Sequence, residues 1–325
     1  MNTLQKGFTL IETAIVLAIV STLAVGAINM YRVQRVNSGI AETGLRTDFV
    51  ADLLRNYLAQ NGELPCPADP TLPRTNVNYG AEDCVNLELG ATGILRGALP
   101  FQTLGVGLGE VTDGWAMQFT YLVIEEATMP NSWTTVSWAP GDVTSYITLG
   151  NGAVNLITDG VVAFFSHGAN RSGGRTRDGN ALPNPVATAI NELENIDADG
   201  DLIAANFSDS ETTPFDDVVV VLNEEALTAP LVVSGALPSK MQILNDNIRT
   251  MKNQVYSDAI RAGFPYTPPV AITILSSPFG GNINYDPAAS PIYTISAANP
   301  YGIDFNVTED IVGALGANGV DIDGP

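Results

Sequence analysis

From Phe8 to Met30 the chain is a mainly apolar run whose only charge is the carboxylate of Glu12. At about 1.5 Å per residue a helix over this run is roughly 35 Å long, enough to cross the hydrocarbon core of a bilayer. The run follows Lys6 and Gly7 and leads directly into Tyr31, Arg32 and Arg35. An ordinary secretory signal has a shorter apolar stretch with a small-residue cleavage site beyond it. Here Gly26 and Ala27 sit inside what reads as one continuing helix, so removal at that point is not expected. Glu12 is costly where it stands: a charged side chain at the centre of a spanning helix costs roughly 2.5 kcal/mol or more, so such a residue normally has a partner.

Lys6-Gly7 followed by Phe8-Thr9-Leu10-Ile11-Glu12 resembles the type IV pilin signal. The resemblance implies cleavage after Gly7 by a prepilin peptidase and methylation of the new amino terminus at Phe8. It also implies an assembly role for Glu12, paired with the positive amino group of Phe8 on a neighbouring subunit. A simple signal anchor with Glu12 at headgroup level is the alternative reading. Pilin helices of this kind usually carry a proline near the position of Asn29, so a straighter anchor is expected, with Gly26 supplying any local flexibility.

The chain has 325 residues, 45% of them in the apolar set, enough for one large or two modest domains outside the membrane. With 35 Asp plus Glu against 14 Lys plus Arg, its formal charge is -21. So acidic a body argues against nucleic acid and favours cations or basic partners. Local groups at Arg171, Arg175 and Arg177, and at Lys240, Arg249, Lys252 and Arg261, read as solvated faces. Cys66 and Cys84 lie in a stretch rich in Pro, Asn and Asp, which suits a disulfide closing a surface loop in an oxidising compartment; two buried thiols are the alternative.

Beyond the membrane run, Val33, Val36, Ile40, Leu45, Phe49, Leu53, Leu54, Tyr57 and Leu58 recur at mostly helical spacing, predicting one helix that ends at Asn61-Gly62. A turn-rich connection is expected at "RGALPFQTLGV". Alternation of Trp115, Met117, Phe119, Tyr121 and Val123 predicts a half-buried strand within Asp113 to Glu126. Further strands are expected in 145–150, 160–168 and 216–227, joined as an antiparallel sheet. In the last third, Met241, Leu244, Ile248, Met251, Val255 and Ile260 predict a helix ending near Gly263, followed by a small strand-rich appendage or extra sheet edge.

The resemblance extends past the anchor. "DGWAMQFTYLV" is similar to the Asp-x-Trp-Gly-x-x-Tyr-x-Tyr strand of the major pseudopilins of type II secretion, with Ala116 where that family has Gly. "FFSHGANRSGG" resembles the Ser-x-Gly-x-Asn/Asp-Gly turn that follows it, and "FDDVVV" the terminal acidic pair. The segment 175–214 and everything after Leu227 are additional to that pattern. The implied fold is α+β and pilin-like: a long N-terminal helix packed on an antiparallel sheet, with an extra C-terminal helix and appendage. The expected division is a leader at 1–7, a transmembrane and filament-core helix at 8–31, its amphipathic continuation at 32–62, a globular β domain at 63–230 and the appendage at 231–325.

"NIDADGDLIAAN" offers Asn195, Asp197, Asp199 and Asp201 with Gly200 at the turn, matching the first half of an EF-hand loop. The twelfth position is Asn206 rather than a bidentate Glu, so it is no EF-hand. A structural calcium held there, or at Asp216 and Asp217 as in the pseudopilins, stands beside the alternative of a solvated acidic turn. His167, the single histidine, follows Ser166, yet a hydrolase site needs a nucleophile, base and orienting carboxylate that converge. Neither a Gly-x-Ser-x-Gly elbow nor a phosphate loop occurs, and His167 reads as a turn residue. Trp115, Trp133 and Trp138 are expected in the core rather than on an adhesive face.

The sequence therefore points to a non-enzymatic minor pilin or pseudopilin. Such a subunit sits in the bacterial inner membrane with its body in the periplasm, and later in a periplasmic or cell-surface filament. Its expected partners are other pilin or pseudopilin subunits, the prepilin peptidase and the inner-membrane assembly platform. The competing readings are a pilus-displayed adhesin and a membrane-anchored periplasmic enzyme.

Overall fold

The computed structural model describes residues 10–310, apart from 86–92, 139–142, 144, 198, 209, 211–212, 263–267, 270, 280, 288–291 and 298–304; the side chains of 29, 292 and 305–310 are likewise not described. The chain opens with α1 (Leu10–Asn61), one helix that runs through Gly26, Gly39 and Gly44. It then forms β1 (Ile94–Ala98), β2 (Thr120–Ile124), the single turn α2 (Ser132–Thr135), β3 (Ile147–Gly150) and the long β4 (Asn155–Ser166). There follow α3 (Ile190–Ile196), β5 (Asp201–Ile203), β6 (Val218–Asn223), α4 (Glu224–Ser234) and α5 (Lys240–Ala262). Three strands close the described chain: β7 (Asn284–Asp286), β8 (Ile292–Ala297) and β9 (Phe305–Asp310).

The main sheet has six strands in the order β1-β2-β4-β3-β5, with β6 also pairing β4. Both β2 and β6 pair with Val162 to Phe165, so they lie on opposite edges of β4. The expectation of an antiparallel sheet holds for every pair but one: β5 runs parallel to β3, with Leu149 opposite Leu202. The long segment between β4 and β5 makes this possible, because a parallel pair needs a crossover rather than a hairpin.

Both faces of the sheet are buried. Tyr121, Val123, Val162 and Phe164 point to one side, where they pack with Val50, Leu54 and Leu58 of α1. Their neighbours Leu122, Ala163 and Phe165 point to the other, where they meet Ile147 and Leu202. β2 is therefore not half-buried as its alternation predicts, and the unbroken apolar runs of β4 and β6 follow from two covered faces. A separate cluster of Leu244, Met251 and Val255 from α5 with Ile283, Tyr293 and Ile295 forms the core of a C-terminal unit whose strands β7-β8-β9 make their own sheet. That sheet is not an extra edge of the main one.

The predicted face of α1 is corrected in its middle. Gly39, Thr43, Thr47, Val50, Ala51, Leu54 and Leu58 turn toward the body, whereas Val33, Ile40, Leu45 and Phe49 face outward. The cause is a close crossing. A Cβ on Gly39 would stand 2.5 Å from the Trp115 ring, and one on Gly114 would stand 2.3 Å from the Gly39 carbonyl oxygen. Small residues are required on that side, and apolar bulk is displaced to the other. Thr43 Oγ1 accepts from Gly114 N at 3.0 Å, and Arg46 donates to the Thr112 carbonyl at 2.8 Å, fastening the helix to the loop before β2.

Candidate functional site

The first candidate site is the free half of α1. Leu10, Leu17 and Leu23 are 88%, 68% and 69% exposed in the isolated chain, and α1 is the one described helix long and apolar enough to cross a membrane. Its hydroxyls are turned inward: Thr13 Oγ1 donates to Leu10 O at 2.9 Å, Ser21 Oγ to Leu17 O at 2.8 Å and Thr22 Oγ1 to Ile19 O at 2.9 Å. Such internal satisfaction is what a hydrocarbon environment demands. Glu12 lies in the first described turn of α1. Lys6, Gly7 and Phe8 lie outside the described residues.

The body is organised where its quoted motifs meet. The predicted strand from Asp113 begins instead as a turn: Asp113 Oδ1 accepts from Trp115 N at 2.9 Å and Met117 N at 2.7 Å, leaving β2 to start at Thr120. Ser166 Oγ donates to Asp113 Oδ2 at 2.6 Å and accepts from Gly168 N at 3.1 Å, so Ser166 ties the end of β4 to the turn before β2. Burial pushes the Asp113 carboxyl up, and its hydrogen bonds, led by that of Ser166, oppose the rise. His167 does not engage Ser166. Its Nε2 lies 2.9 Å from Thr120 Oγ1, the residue is 1% exposed, and burial, aided by the nearby Arg96 charge, pushes its pKa down to about 4. Among the described residues Ser166 and His167 therefore do not assemble a nucleophile and base.

The acidic residues singled out in the sequence separate into two groups. Asp216 and Asp217 meet Glu192 of α3, with one carboxylate oxygen from each within 4.8 Å of the others. Glu194, Asp199 and Asp201 gather in the same way at the surface. Asn195 is not a free ligand: its Nδ2 donates to Asp217 Oδ2 at 2.7 Å and its Oδ1 accepts from Ile203 N at 2.7 Å. Arg96 caps this region, donating to the carbonyls of Asn195 and Asp197. Asp197 is pushed up to about 6, first by burial and then by Asp199.

Glu192 carries no motif and escapes sequence reading; the acidic turn three residues after it is the nearest signal. Glu192 is 1% exposed, and among the described residues no donor is hydrogen-bonded to its buried Oε2 or to the buried Asp216 Oδ1. Asn170 holds the other oxygens, donating from its backbone to Asp216 Oδ2 and from its side chain to Glu192 Oε1, both at 2.7 Å. Burial pushes all three carboxyls of this group up, and for Asp217 the charges of Glu192 and Asp216 add to the rise. Two orphaned oxygens and a surplus of negative charge fit a hard divalent cation.

Cys66 and Cys84 are joined in a disulfide with Cα atoms 5.2 Å apart. Tyr121 Oη donates to Pro65 O at 3.0 Å, anchoring the base of this loop to β2. Trp133 and Trp138 are 3% and 1% exposed, in keeping with core packing.

Residues 2–28 match the family described as the Prokaryotic N-terminal methylation motif. Over 65 residues the chain is 42% identical to a fimbrial protein of Neisseria meningitidis serogroup B, covering 20% of this chain and 38% of that protein. It is 40% identical over 65 residues to a type IV major pilin protein of Neisseria gonorrhoeae, covering 20% of this chain and 39% of that protein. The chain thus spans less than two fifths of the length of these curated relatives. No solved structure matches the chain. A methylation motif continuing into a helix whose first half is exposed and whose second half packs on a sheet is a pilin-like arrangement. Its N-terminal region is similar to that of type IV pilins.

Proposed function

We propose that this chain is a structural subunit of a type IV pilus or type II secretion-like filament, cut after Gly7 and methylated at Phe8. Before assembly it is held in the inner membrane by the first half of α1, with its body on the periplasmic side. On assembly the platform draws neighbouring helices together, and Glu12 of one copy pairs with the Phe8 amino group of another. The observation that carries this reading is the overlap of the methylation motif with the part of α1 whose described residues are exposed. The outward-facing Val33, Ile40, Leu45 and Phe49 prolong that apolar surface above the membrane, in support of helix-to-helix packing. A large body with a second core supports a minor or tip position, since bulky heads tile poorly around a thin fibre.

The test is Glu12→Gln in cells carrying the peptidase and platform. Processing is expected to continue while incorporation into filaments is lost; unchanged incorporation contradicts the pairing.

The same reading includes a structural calcium held by Glu192, Asp216 and Asp217, where the ion would offset their mutual repulsion and fasten α3 to the start of β6. Addition of calcium chloride is expected to raise the melting temperature of the wild type, and less so that of Glu192→Gln. An equal rise in both, or none in either, removes the calcium from the account.

A further inference from the structure

Between the sheet body and the C-terminal unit lies a cavity of about 600 Å³, a size that accepts a small ligand or a large side chain. The body contributes Asp159, Glu224 and Glu225, the C-terminal unit contributes Lys240 and Phe279, and Trp133 and Trp138 line it as well. Three carboxylates thus face one ammonium. That ammonium is already engaged: Lys240 Nζ lies 3.2 Å from Glu224 Oε1 and over the rings of Trp133 and Trp138, at 4.8 and 5.4 Å from their centroids. Asp159 and Glu225 form no ion pair among the described residues, and the contacts Asp159 receives from Asn223 Nδ2 are long, at 3.3 and 3.4 Å. Asp159, Glu224 and Glu225 are also not gathered closely enough to grip one metal ion together.

Uncompensated carboxylates around an indole-walled, mainly apolar space select a cation with an aliphatic stem. We propose that this cavity binds a lysine or arginine side chain presented by a partner protein. Charge favours such a partner over a neutral or acidic one, because the whole chain carries -21 and its field attracts basic surfaces. The bound cation reaches Asp159 and Glu225 of the body while its stem lies against Phe279. Occupancy therefore ties the C-terminal unit to the body across the Lys240 joint.

The test uses full-length protein in detergent and follows tryptophan fluorescence, with Trp115 as a constant background. The probes are the peptide acetyl-Lys-Leu-Lys-amide, its Glu-Leu-Glu counterpart and free cadaverine. A saturable change is expected with the basic peptide, at least about tenfold tighter than with the acidic one and weakening with salt. Asp159→Asn combined with Glu225→Gln is expected to weaken it at least about tenfold while leaving the thermal melt in place. Should that double variant melt early, Glu225→Lys at the exposed rim serves instead, with the same loss expected. Equal responses to both peptides, no saturation, or unchanged binding by the variants overturns the proposal. Cadaverine binding as tightly as the peptide overturns the assignment to a protein partner. None of these outcomes bears on processing at Gly7, so failure here is distinguishable from failure of the filament reading.

Discussion

Ala116 has φ 65°, a left-handed conformation that costs a residue with a Cβ about 1 kcal/mol or more. The position is fixed by Asp113, whose carboxylate holds the backbone amides on either side of Ala116, from Trp115 and Met117. The resembling strand has glycine here, and Ala116→Gly is expected to stabilise the fold by about 1 kcal/mol, read from urea unfolding. His167 carries a second prediction. Its folded pKa of about 4 lies below the ordinary value of 6.5, so between these values the unfolded chain binds a proton that the folded chain excludes. Stability therefore falls as pH drops through that window, by about 3 kcal/mol for this group. His167→Asn should lose less than the wild type between pH 6.5 and 4; equal losses would mean that His167 is not the group responsible.

At the scale of elements, α1 was legible because an apolar run of its length has one economical reading, and α5 because its apolar residues keep a three-four spacing. The turning of α1 was not legible. Its buried side is chosen by the crossing of Gly39 with Gly114 and Trp115, distant in sequence, and no local period reports it. Leu45 is 74% exposed, so Leu45→Glu is expected to change stability by no more than about 0.5 kcal/mol while reducing recovery of the subunit in sheared filaments. A large loss of stability would return Leu45 to the core. The start of α4 could have been read: Asn223 Oδ1 accepts from Ala226 N at 2.9 Å, and Glu224 and Glu225 follow in the first turn, the ordinary signs of a helix start. β1 gave no such signal, being five residues with Arg96 and Gly97 in its middle. Reducing the Cys66–Cys84 bond is expected to cost about 3 kcal/mol by freeing the loop in the unfolded chain. Loss of less than half of that would show that the loop is held by Tyr121 and its other contacts rather than by the bond.

The whole molecule joins an N-terminal helix of recognisable type to a body much less predictable from its sequence. Both sheet faces are covered because the segment 175–214, which lies outside the resemblance, returns to lay Leu202 on the face opposite α1. The acidic group has the same origin: Asp216 and Asp217 were legible as a pair, but Glu192 joins them only through that return, so one of the three carboxylates of the candidate cation site was hidden until the chain folded. The central claim, that the protein enters a filament through a processed amino terminus, rests on the first residues of the chain. It is tested most directly by co-expression with a prepilin peptidase followed by intact-mass and amino-terminal analysis. The mature chain is predicted to begin at methylated Phe8, whereas a chain beginning at Met1, or near Ala27, would contradict the account.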